Sequence, residues 1–406
     1  MDHALSGLIY IAQALHAGGN RPGGHQHHFA SVRAQLRELR AQTLAFAFER
    51  LNRCGGRCRA RREFCDIGKE ILVVCVRAVQ LLTIASVCLT VYGIRLRAPY
   101  VADDHFIFYR LQQDGVFGFA SQPPTGFFRP LISLHYYLDY LVGMSPLFSH
   151  AVNLLWHTVC ALLLYAFGYR LLMRWGWNRG RALFAAYWGA LLFAVLPANV
   201  EAVAWFAARA DMVATAGALG ALLLLMRFQE QGRWIDYLAA LVCFSVGLFC
   251  KESLLTFPII VWLWLRYLGV ERAGRLATPF FGVLLVYLVA RTAVVGGVGA
   301  YPDAWATLQR PWLFGVNMAA YLLQMGMPAA LYGLGRDRWD TLLWGVWIVG
   351  AGLAIYAWRK ASPAPSPKID WRIVTGFTVI ALVPVLIFKP SPLHFLNSRY
   401  TYLAAA

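Results

Sequence analysis

Apolar runs long enough to cross a bilayer recur along this chain, and no other feature restricts its possible folds as strongly. An α-helix satisfies its own backbone hydrogen bonds, so about 20 apolar residues suffice to cross roughly 30 Å of hydrocarbon. Such runs predict spans near 71–93, 150–172, 182–199, 211–228, 235–250, 254–269, 277–298, 340–358 and 373–389. The expected fold is an all-α polytopic membrane protein, a bundle of about nine transmembrane helices with an outer-face loop and interfacial helices. Composition agrees. Of 406 residues, 59% are hydrophobic and 14% charged, whereas soluble domains carry about a quarter charged. Disordered, collagenous, coiled-coil and ordinary water-soluble classes are thereby excluded.

The net charge of +17, from 37 Lys and Arg against 20 Asp and Glu, invites a nucleic-acid reading until the charges are sorted by loop. With a cytoplasmic amino terminus, the cytoplasmic turns collect Arg174, Arg179 and Arg181, then Arg227 and Arg233, then Arg266, Arg272 and Arg275, then Arg359, Lys360, Lys368 and Arg372. That is the positive-inside signal, and it accounts for much of the excess, so membrane lipids and not nucleic acid are the expected surroundings. Residues 1–68, glycine-rich and then arginine-rich, read as a basic cytoplasmic extension, and 69–406 as the transmembrane domain. The run 311–332, interrupted by Gly326 and Pro328, reads as an interfacial or re-entrant helix. Cys54, Cys58 and Cys65 lack a zinc-site spacing, and the remaining cysteines lie in or beside apolar stretches as reduced thiols. An Ala-, Arg- and Trp-rich composition points to a bacterial inner membrane in preference to the endoplasmic reticulum.

Chemistry gathers on the opposite face. Asp103 and Asp104 follow the first span closely. Two adjacent carboxylates repel each other and suffer desolvation, so one of them could serve as a general base; alternatively, the pair caps a helix starting near His105. The segment Leu131–Leu141 is amphipathic and rich in His and Tyr, as suits an interfacial helix. Arg129, Glu201, Arg209, Asp211, Lys251 and Glu252 follow on the same side, with His394, Asn397, Arg399 and Tyr400 in the tail. Charges at such depths pair with one another or bind a charged ligand. The cations could hold a lipid phosphate, or the set could close on itself through Glu201/Arg209 and Lys251/Glu252; residue types alone do not choose. A transporter or lipid flippase is the rival class, although no corresponding pair of broken helices is visible in the sequence. Neither a GxxxxGK[ST] loop nor a GxGxxG after a strand is present.

Several runs in matching order carry a family resemblance: Phe128-Arg129-Pro130-Leu131, then His150 through Asn153 to His157, then Glu201-Ala202-Val203-Ala204-Trp205 with Arg209 and Asp211, then Lys251-Glu252, and last Arg399-Tyr400-x-Tyr402-Leu403. Together they resemble the membrane half of the transmembrane O-mannosyltransferases with tetratricopeptide repeats and of their bacterial relatives, within the GT-C glycosyltransferases. The resemblance implies an inverting transferase using a polyprenyl-phosphate-linked sugar donor and a protein or glycan acceptor. It implies Asp103 as the catalytic acidic residue with Asp104 in support, and Lys251, Arg209, Arg399 and Arg129 as the groups that hold the donor phosphate. Glu201, Asp211, Glu252, His394 and Tyr400 would form the supporting polar network. A divalent cation could be held through Asp104 or Glu201. Asn199 and Ser398 depart from the family pattern, and the chain is expected to stop where such relatives continue.

Overall fold

The computed structural model describes residues 59–101, 103–122, 127–296, 309–326, 369–388 and 398–406, with isolated positions between 307 and 356. All but isolated positions of the expected span at 340–358, together with the linker at 361–367, His394 and Asn397, lie outside the described residues. Two compact units divide the chain, Met1–Ala78 and Val79–Ala406. The described part of the first is the leading half of helix α1, Arg59–Tyr92.

After α1 come α2 (Asp103–Asp114), a two-stranded antiparallel ribbon of β1 (Ser121–Gln122) and β2 (Phe127–Phe128), and α3 (Pro130–Leu141). Four long or bent helical segments follow: α4 (Pro146–Arg174), α5 (Arg179–Ala194), the short α6 (Val200–Ala204) and α7 (Arg209–Gln231). Then come α8 (Trp234–Cys250), α9 (Phe257–Tyr267), α10 (Ala273–Val295), α11 (Trp312–Gly326), α12 (Trp371–Leu382) and the terminal turn α13 (Tyr402–Ala405).

The all-α expectation holds for the described residues apart from the ribbon, but the count of about nine spans does not. Among the described residues, four helices are long and apolar enough to cross a membrane: Glu70–Arg95, Pro146–Arg174, Phe206–Gln231 and Ala273–Val295. A fifth is gained only if α5 and Pro197–Ala204, bent by 50° at their junction, count as one. The reason for the difference is that hydropathy registers an apolar run even where a helix ends inside it. The expected 182–199 span is interrupted after Ala194, where the Pro197–Asn199 turn begins. The 235–250 and 254–269 runs are helices of 17 and 11 residues, separated by the turn at Lys251. The 373–389 run yields a helix of only 12 residues, closed by a turn at Val383–Val385.

Helix α7 is the buried centre, with 67% of its most apolar window enclosed by neighbours, compared with 17% for α10. Small residues permit this. Ala214, Gly217, Ala218 and Ala221 let α8 approach so closely that a Cβ on Gly217 would stand 2.6 Å from the Cys243 carbonyl oxygen. Apolar stripes elsewhere stay uncovered, as on α8, where Ile235, Leu238 and Val242 are exposed. That pattern is appropriate where lipid is the solvent.

Candidate active site

The segment from the break in α5 to the first turn of α7 organises the polar face. Short helices cannot satisfy all their backbone groups internally, so the groups they leave free recruit side chains from other elements. Asn153 of α4 donates through Nδ2 to the Trp205 carbonyl at 2.9 Å. Tyr136 of α3 donates to the Ala207 carbonyl at 2.7 Å. Asp104 of α2 accepts from the Ala207 N–H at 3.1 Å and reaches back to the Val101 N–H at 3.0 Å. The first outer loop is thus tied to the broken helix by its second aspartate.

The two aspartates consequently have different surroundings. Asp104 is buried, with both carboxylate oxygens accepting backbone hydrogen bonds. Burial pushes its carboxyl above the usual carboxylate value; the Val101 and Ala207 N–H groups oppose the shift and the charge of Asp103 adds to it. Asp103 is exposed in the first turn of α2. Asp104 thus braces the start of α2, and Asp103 is the accessible carboxylate of the pair.

All four candidate cations are paired, and not in the combinations expected from spacing. Arg399 donates through its side chain and its backbone N–H to Glu201, at 2.9 and 3.1 Å. Lys251 meets Asp211 at 3.1 Å. Arg129 and Glu252 form a two-pronged ion pair. Arg209 is committed most deeply: it is 1% exposed, forks onto Asp139, and donates to Asn153 Oδ1 at 2.8 Å and the Ser149 carbonyl at 3.0 Å. Tyr100 donates to the Ser149 hydroxyl, which donates to Asp139 at 2.5 Å and so completes the carboxylate's neutralisation.

Electrostatics knit three of the pairs into one cluster. Burial lowers the pKa of Lys251, with Asp211 opposing and Arg129, Glu252 and Arg399 also acting on it. Burial alone would raise Glu252, but the charge of Arg129 outweighs it and holds the carboxyl at about 2. The Tyr400 ring lies 5.3 Å from Lys251 Nζ and 5.1 Å from the Arg399 guanidinium, which also covers Trp205 at 4.2 Å. Aromatic faces attract cations, so these rings hold the basic groups together without neutralising them.

Asp139, Ser149 and Tyr100 were not singled out from the sequence. A lone Asp in the otherwise apolar and aromatic stretch Leu131–Leu141 was the available signal, since an intramembrane or interfacial carboxylate requires a partner. The candidate carboxylates for a divalent cation do not fit one: Asp104 is spent on two N–H groups and Glu201 on Arg399. Among the described residues, no group of three His, Cys, Asp or Glu side chains could hold a metal.

The fold and its cluster define a multi-pass membrane protein with an ionic site at the helix ends. No family model and no solved structure matches the chain. It is homologous over part of its length to curated proteins. One is Protein O-mannosyl-transferase Tmtc2 of Drosophila melanogaster, 28% identical over 247 residues, covering 54% of this chain and 25% of that protein. Another is Protein O-mannosyl-transferase TMTC1 of Mus musculus, 33% identical over 171 residues, covering 42% and 16%. The Homo sapiens TMTC1 is 36% identical over 120 residues, covering 29% and 12%. The chain thus matches a quarter or less of the length of these relatives. The matched curated relatives are animal proteins, which overturns the expectation of a bacterial inner membrane, an expectation that rested on composition alone.

Proposed function

We propose that this chain transfers a sugar, mannose by analogy with the names of its relatives, from a polyprenyl-phosphate donor to a hydroxyl of a protein or glycan acceptor, with inversion. The observation that carries the reading is the exposed carboxylate of Asp103, on the helix that the buried Asp104 ties to Ala207, two residues before Arg209. Asp103 takes the acceptor's proton as its oxygen bonds to the anomeric carbon; the glycosidic C–O bond breaks and the lipid phosphate leaves with the electron pair. A phosphate is a good leaving group when cations receive it, so no second catalytic acid is required.

The donor-holding role divides unequally among the four cations. Lys251 spends one of its three donors on Asp211, and Arg399 binds Glu201 through a single side-chain nitrogen, so both have hydrogen-bonding capacity for a phosphate. Arg129 spends its fork on Glu252, and Arg209 directs its donors to Asp139, Asn153 and Ser149. Lys251 and Arg399 therefore hold the phosphate, with Tyr400 between them, while Arg129 and Arg209 brace the walls.

The test is transfer from polyprenyl-phosphate mannose by the purified protein in nanodiscs. Asp103→Asn should lower turnover at least about 100-fold, the usual contribution of a general base, while leaving thermal stability unchanged. Turnover like that of the parent in this variant would falsify the catalytic assignment.

A further inference from the structure

Two buried side chains, His157 and Tyr402, bear on the geometry of the Glu201–Arg399 pair. His157 of α4 is 0% exposed, and its ring has two partners. Nε2 lies 3.0 Å from the Ala194 carbonyl, which can only accept, so Nε2 carries the proton. Nδ1 must then accept, and it takes the hydroxyl hydrogen of Tyr402 at 2.7 Å. Tyr402 is likewise 0% exposed, and its ring packs edge-on against Phe193, centroids 5.2 Å apart.

These partners stand at two decisive places. Ala194 is the last residue of α5, where the bent segment breaks, and its carbonyl is one that the helix itself cannot satisfy. Asn199 secures the neighbouring carbonyl of Phe193 at 2.9 Å. Beyond that break hangs Glu201. On the other side, Tyr402 begins α13, three residues after Arg399. The acid and the base of the pair therefore hang from two different chain segments, and both segments are fastened to one imidazole.

We propose that His157 and Tyr402 are positioning residues: the neutral imidazole clamps the α5 break and the tail together, and so sets where Arg399 meets Glu201 and where Tyr400 lies against Lys251. Neither side chain reaches the reacting atoms. The clamp itself stands apart from the reaction, but its effect on donor binding rests on the transferase reading above.

Two measurements on the full chain separate these layers. Hydrogen–deuterium exchange of peptides covering Ser398–Ala406 reads the clamp without any assay of transfer. Tyr402→Phe, which keeps the ring and loses one hydroxyl, should accelerate exchange there about tenfold, the worth of one buried hydrogen bond. His157→Gln retains a donor and an acceptor on one side chain and should exchange like the parent, whereas His157→Phe should match Tyr402→Phe. The double variant His157→Phe with Tyr402→Phe should be no worse than His157→Phe alone, because that change already removes the bond to Tyr402 along with the one to Ala194. Tail exchange unchanged in Tyr402→Phe, or additive losses in the double variant, would overturn the clamp. The KM for polyprenyl-phosphate mannose then reads its consequence: Tyr402→Phe and His157→Phe should each raise it about tenfold with only a small fall in the melting midpoint, and His157→Gln should keep the parent's value. An unchanged KM with accelerated tail exchange overturns the positioning role while leaving the clamp. Absence of transfer by the parent protein overturns the transferase reading and, with it, the effect on donor binding, and leaves the exchange result to decide the clamp.

Discussion

At the scale of single residues, the polar face consists of charges that are costly alone and stable in pairs. Asp139 and Arg209 are each 1% exposed, so removing either leaves its partner buried and uncompensated. Asp139→Ala should therefore cost about 3–5 kcal/mol, read as a large drop in the midpoint of denaturant unfolding in detergent. Replacing Asp114, whose ion pair with Arg110 is about half exposed, should change the midpoint little. Glu252 makes a further prediction through pH. Its carboxyl is held at about 2, below the ordinary 4.5, so its ion pair stabilises the fold fully above pH 4.5. That contribution is lost as pH falls from 4.5 towards 2, and Glu252→Gln should flatten the stability profile in this acid window and nowhere else. Apart from Asp139, the sequence made the charged members of this polar face legible, because charged residues beside apolar runs are rare and conspicuous. It left the pairing illegible. Glu201 and Arg399 are 198 positions apart, and only the fold decides that they meet while the nearer Arg209 turns to Asp139.

At the scale of elements, the α7–α8 contact shows what glycine does at a buried helix crossing. A methyl group on Gly217 would lie 2.6 Å from the backbone oxygen of Cys243, which cannot move without the helix. One on Gly220 would lie 3.6 Å from the Cys243 sulfur, an ordinary contact. Gly217→Ala should thus force the helices apart and destabilise the protein by about 1–3 kcal/mol, while Gly220→Ala is tolerated. Thermal unfolding of the two variants side by side checks the contrast; equal midpoints would show that the helices do not cross this closely. Apolar runs revealed where helices lie, but not where they stop. Pro197 and Asn199 at the α5 break, and Lys251 between α8 and α9, end helices within or between runs that hydropathy alone reads as spans. The short elements that follow the α5 break supply the backbone groups, at Trp205 and Ala207, to which Asp104, Asn153 and Tyr136 attach. What lowers the number of spans therefore also builds the site.

At the scale of the whole molecule, the basic residues at the ends of the described helices separate into two populations at opposite ends. Arg174 ends α4, Arg179 begins α5, Arg233 precedes α8 and Arg272 precedes α10. Arg209, which begins α7, belongs to the other end, as does Lys251, which follows α8. By the positive-inside rule the basic residues of the first group are expected to face the cytoplasm, whereas those of the second are held by carboxylates and so add little net charge where they lie. This division predicts labelling by a membrane-impermeant maleimide in sealed vesicles, read against the parent protein as background. Asp103→Cys should react only from the non-cytoplasmic side, and Arg233→Cys only after the membrane is opened or inverted. Reaction of both from one side would mean that the ionic cluster and the arginine turns share a face. It would also leave the Asp103 carboxylate on the side from which the orientation of the chain excludes it.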